Sequence, residues 1–97
     1  MSAYVVIDIE VKHAGQYERY KELAPPSIAA HGGRYIARGG KVEVLEGSWQ
    51  PKRCVILEFP SAAQAVKWWH SPEYTEARKV RQQCATANMI VVEGLAD

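Results

Sequence analysis

The chain begins with a clean alternation. Over residues 4–11, Val5, Ile7, Ile9 and Val11 fall on one side of an extended segment, every one β-branched, while Tyr4, Val6, Asp8 and Glu10 share the other. This predicts a strand whose second face is half apolar and half acidic. The period then lengthens: Tyr17, Tyr20, Ala24 and Ile28 are spaced three, four and four apart, as on one stripe of a helix from residue 14 to about 31. Pro25 and Pro26 fall inside it. Each lacks an N–H and crowds the preceding turn, so a break is expected there, with a short second helix starting at the prolines. Gly32-Gly33 then supplies a glycine stop.

The next stretch, GGRYIARGGKVEVLEG, carries two Gly-Gly pairs. Residues 34–37 and 41–45 read as two arms of a strand region divided by Gly39-Gly40. A tight hairpin and a bulged single strand both fit, and the bulge is favoured. At even spacing Arg34 and Arg38 would share one face, making a basic edge beside a cleft. Residues 47–52 (GSWQPK) are turn chemistry, and residues 54–59 form an almost wholly apolar strand closed by Pro60. Ser61 with Gln64 three residues on is a capping box, and Ala62, Ala65, Val66 and Trp69 supply the apolar stripe, with Trp68 pointing elsewhere. Ser71-Pro72 restarts the helix, serine as cap and proline in the first turn. Tyr74, Ala77, Arg78, Arg81 and Cys84 follow on one side, and residues 87–93 make the last strand.

The order β-α-β-β-α-β is the split, ferredoxin-like arrangement, an α+β sandwich of a four-stranded antiparallel sheet with its helices on one face. Three strands have apolar residues pointing both ways: Val6 beside Ile7, Ile56 beside Leu57, and Ile90 through Val92. Helices on one face leave the other uncovered, at roughly 25 cal/mol per Å² of apolar area. A second copy, sheet against sheet, is the expected cover, giving a homodimer that encloses a barrel-like interior.

Length and charge narrow the function. A chain of 97 residues with net charge +1 is expected to form one domain, residues 1–97, and gives no reason to expect a nucleic-acid partner. The first ten residues lack a basic leader and include acids, and no apolar run reaches membrane-spanning length, so neither a signal peptide nor a membrane partner is expected. Cys54 and Cys84 are isolated in apolar surroundings, which suits a reducing, cytoplasmic setting. His13, His31, His70, Cys54 and Cys84 lack metal-ligand spacing, the glycines lack phosphate-loop order, and no serine or cysteine stands in a nucleophile motif. No metal and no cofactor is therefore expected.

The candidate chemistry lies elsewhere. Arg34 and Arg38 can offer planar forks to a carboxylate or enolate, or else pair with Glu43, Glu46 or Glu58. Arg38, beside Gly39-Gly40, is the stronger ligand-binding candidate. Asp8 and Glu58, set among apolar residues on neighbouring strands, are candidate bases with raised pKa, or partners of an internal ion pair. His70 can exchange a proton beside an aromatic pocket or cap its helix, and Trp69 can border that pocket.

Taken together, GGRYIARGGKVEVLEG, a following tryptophan, RCVILEFPS and WWHSPEY resemble the domain of unknown function 1330 family, over residues 4–94. The matching residues include Arg38, Arg53, Glu58, Ser71, Tyr74 and Arg81. The resemblance implies a small bacterial protein of the dimeric α+β barrel superfamily. That wider superfamily includes cofactor-independent monooxygenases, isomerases, peroxidases and haem-degrading enzymes. The expected function is small-molecule binding with one pocket per subunit. As an enzyme it would oxygenate or isomerise a small aromatic or carbonyl compound without a cofactor. The alternatives are a non-catalytic dimeric structural or stress-related module and, more remotely, haem binding through His70.

Overall fold

The computed structural model describes residues 1–96. Its elements run β1 (Ala3–Val11), α1 (Ala14–Ala30), β2 (Arg34–Arg38), β3 (Cys54–Phe59), α2 (Ala62–His70), α3 (Pro72–Cys84) and β4 (Ala85–Glu93). The four strands form one antiparallel sheet in the order β2-β3-β1-β4. This is the ferredoxin-like α+β architecture that the periodicities predict.

Strand alternation decides which residues meet the helices. Val5, Ile7 and Ile9 of β1 pair in register with Leu57 and Val55 of β3 and with Val91, Met89 and Ala87 of β4. Most of this set is buried against Tyr17, Tyr20, Ala24 and Ile28 of α1, Ala65 and Trp68 of α2, and Tyr74 and Ala77 of α3. The opposite face carries Tyr4, Val6, Asp8, Cys54, Ile56 and Glu58, all only partly buried.

Both predicted caps form. The Ser61 hydroxyl accepts from the backbone N–H of Gln64 at 3.1 Å. Ser71 does two jobs between α2 and α3: its hydroxyl donates to the Trp68 carbonyl at 2.7 Å and accepts from the Tyr74 N–H at 3.2 Å.

Three local expectations are corrected. Helix α1 runs unbroken through Pro25 and Pro26. Ala24, Ser27 and Ile28 are buried on either side of the prolines, and this packing holds the helix through the missing donors. Residues 41–45 form no strand, because no ladder partner stands beside them; residues 39–53 are an extended, largely exposed loop. The bulge lies between Tyr35 and Ala37, and not at Gly39-Gly40. Gly39 instead ends β2 at φ +72°, where a Cβ would strike the Arg53 guanidinium.

Candidate functional site

The bulge sets the geometry of the basic strand. Tyr35 pairs with Leu57 on the helix-covered face, but after the extra residue Ala37 pairs with Ile56 and Arg38 with Val55. Arg34 and Arg38 therefore point to opposite faces, and the shared basic edge does not form. Arg34 lies on the open face, where its Nε and Nη2 both donate to Glu58 Oε1, at 2.7 and 2.6 Å. That guanidinium holds the Glu58 carboxyl below its ordinary value, against the upward pull of partial desolvation, so the expected raised pKa is replaced by a lowered one. Asp8, on the same face, is also committed. Its two oxygens accept from Trp49 Nε1 and from the Lys52 backbone N–H, each at 3.0 Å, and so fasten the 39–53 loop to the sheet.

Two cavities open on the helix-covered side, one at each edge of the sheet. The smaller, about 240 Å³, lies under α1 and is lined by Tyr17, Tyr20, Tyr35, Arg38 and Arg53 among others. Arg38 stacks over the Tyr35 ring at 4.4 Å, and Arg53 Nε donates to the Tyr17 hydroxyl at 3.2 Å. The larger, about 620 Å³, lies between α2, α3 and β4. Its wall is largely apolar (Ala65, Val66, Trp68, Met89 and Val91 contribute), with Trp69, His70, Gln82, Thr86 and Arg81 as its polar or aromatic features.

Of the residues singled out from sequence, Trp69 and His70 therefore meet at the larger cavity, Arg38 lines the smaller, and Arg34, Asp8 and Glu58 lie on the far face of the sheet. The two tryptophans exchange the roles expected of them. Trp68 is the core residue, packed on Phe59 and Tyr74 with its indole N–H donated to the Ser27 hydroxyl at 3.1 Å. Trp69 is half-buried at the cavity, held by Arg78, which stacks over its ring at 4.4 Å and donates to its carbonyl at 2.9 Å. His70 stands edge-on to Trp69, with centroids 5.0 Å apart. His31 meets Glu73 Oε1 through Nε2 at 2.6 Å and lowers that carboxyl's pKa.

Arg81 was not singled out. It is buried, lines the larger cavity, and its Nε has no hydrogen-bond partner. The signal was present: Arg81 falls on the stripe of α3 that carries Tyr74, Ala77 and Cys84, and a cation in an apolar stripe is unusual enough to mark. Beside it the Tyr20 and Tyr74 hydroxyls hydrogen-bond at 2.9 Å. Burial above all, then Tyr74, pushes the Tyr20 hydroxyl far up, so it stays protonated. Among the described residues there is no group of three His, Cys, Asp or Glu that could hold a metal, and no helix long and apolar enough to cross a membrane.

A family model described as a domain of unknown function (DUF1330) matches residues 2–95. No curated protein matches the chain. Among solved structures, the chain is similar to a protein of unknown function from Rhodopseudomonas palustris, at 23% identity and a TM-score of 0.77, covering 99% of this chain and 84% of that one. A dimeric ferredoxin-like protein of unknown function from Jannaschia sp. CCS1 matches at 13% identity and a TM-score of 0.69, covering 97% and 100%. SnoaB, a cofactor-independent oxygenase from Streptomyces nogalater, matches at 8% identity and a TM-score of 0.65, covering 99% and 95%. At these identities the likeness is one of fold.

Proposed function

The chain belongs to the DUF1330 family, and on that footing we propose that it is a homodimeric small-molecule-binding protein whose ligand occupies the larger cavity. The observation that carries this reading is the cavity itself. A concave site of about 620 Å³, mostly apolar and with few polar groups, has the make-up of a small-ligand site. Trp69 offers an aromatic wall to a flat ligand.

Pairing through the open face of the sheet completes the reading. Val6, Ile56, Ile90 and Val92 leave apolar surface there, and Ile90 is 61% exposed. The 39–53 loop, clamped by Asp8, adds Val42, Val44, Trp49 and a Leu45 that is 93% exposed. The Jannaschia neighbour, described as dimeric, has the same fold.

The test uses cinnamamide, a neutral aromatic probe. It is expected to saturate at one molecule per subunit, to shift the Met89 and Trp69 NMR resonances, and to bind about tenfold more weakly to Val66→Trp, which crowds the cavity wall. Absence of saturable binding, or indifference to Val66→Trp, would overturn the reading.

Catalysis without a cofactor is the second reading, supported by His70. Of the three candidate proton acceptors, only His70 lines this cavity. The shared fold with SnoaB supports it in kind. Oxygen uptake in the presence of naphthol that His70→Gln abolishes supports this reading. Uptake no faster than in protein-free buffer counts against it.

A further inference from the structure

Among the described residues, Arg81 is the one charged side chain in the buried interior, 5% exposed. Its guanidinium stays protonated at any working pH. It forms no ion pair with a described carboxylate, and its Nε proton has no acceptor. The groups that favour its charge are the Tyr74 and Tyr20 hydroxyls, and neither is a carboxylate. A buried cation without a counter-ion is costly, and proteins retain one where something else supplies the opposite charge.

The cavity beside Arg81 is where that charge can come from. Its wall contains no aspartate or glutamate, and His70 is its other basic side chain. The rest is apolar surface, the Trp69 ring, and the neutral Gln82 and Thr86. An anion entering here meets a planar cation and no competing carboxylate, while the body of the molecule meets hydrocarbon. Arg38 differs: it is exposed, stacked on Tyr35, in the other cavity.

We infer that the ligand of the larger cavity is an aromatic or otherwise apolar monocarboxylate, and that Arg81 binds its carboxylate at the inner wall. This rests on the reading of that cavity as the ligand site. Nε and a terminal nitrogen together make the two-pronged geometry that suits a carboxylate. Arg81 is then the residue that selects the chemical class, and Trp69 with the aliphatic wall selects shape.

The test compares cinnamate with cinnamamide, which share a body and differ in charge. Wild-type protein should bind cinnamate about tenfold or more tightly than cinnamamide, the preference a charge-assisted pair gives. In the NMR spectrum the Arg81 Nε–H resonance should move with cinnamate and stay in place with cinnamamide. Arg81→Met should remove the preference, whereas His70→Gln should keep it. Equal binding of the two probes by wild-type protein overturns the inference and leaves the cavity reading standing. A preference lost in His70→Gln and kept in Arg81→Met overturns it by moving the anion to the rim. Failure of both probes to bind overturns the cavity reading as well. If Arg81→Met does not fold, the wild-type comparison and the Nε–H resonance decide the matter without it.

Discussion

The two faces of the sheet are built from the same four strands, yet they behave as different materials. On one, Val5, Ile7, Leu57 and Phe59 are buried beneath three helices and meet an aromatic cluster centred on Trp68. On the other, Val6 and Ile56 sit between Tyr4, Asp8 and Glu58, with no helix over them, and the carboxylates are tied up by Arg34 and by the loop. The difference teaches that a β-branched side chain stabilises only through what covers it. The first face is finished within one subunit. The second leaves apolar area open beside charged residues already paired within the subunit, the mixture that the proposed dimer would cover.

Three substitutions test this contrast. The largest effect is expected on the finished face. Trp68→Ala removes a side chain at 1% exposure and the indole bond to Ser27, and should lower unfolding free energy in urea by about 3–5 kcal/mol. A loss below about 1 kcal/mol would mean that the aromatic cluster around Trp68 contributes little to the core. On the open face, Ile90→Asp should weaken the proposed dimer in sedimentation equilibrium by about 30-fold, roughly 2 kcal/mol, while leaving the subunit fold intact. An unchanged dimer would place the interface elsewhere. The smallest effect is electrostatic. Arg34 holds the folded-state pKa of Glu58 below its ordinary 4.5, so the pair's contribution to stability is present above that value and is lost as pH falls through the lowered one. Glu58→Gln should therefore reduce the drop in urea midpoint between neutral and acid solution. A drop of wild-type size would assign it to other carboxylates.

Most of this architecture can be read in the sequence because it depends on short-range chemistry. The β1 alternation, the Ser61 and Ser71 caps and the element order each follow from a few adjacent residues. What escapes depends on the rest of the fold. Two stripes one residue apart fit α2 almost equally, so Trp68 and Trp69 are separable only once Ser27, Phe59 and Tyr74 are in place. The KVEVLE alternation has strand character, but a strand needs a ladder partner, and none stands beside it. The candidate site was legible in part. Trp69 and His70 point to the right cavity, and the α3 stripe marks Arg81 as unusual, but that it lacks a carboxylate partner shows only in the folded chain.

The extra residue at Ile36 has a consequence for the chain's tolerance of length change. Facing on a pleated ribbon is a matter of odd and even counting, and this insertion reverses the parity for everything that follows it in β2. A deletion of Ile36 would flatten the bulge and still leave Ala37 opposite Ile56 and Arg38 opposite Val55, so Arg38 would keep its place at the α1 cavity and Arg34 its pairing with Glu58. A swap of Ile36 for another residue would leave the count, and both arginines, where they are.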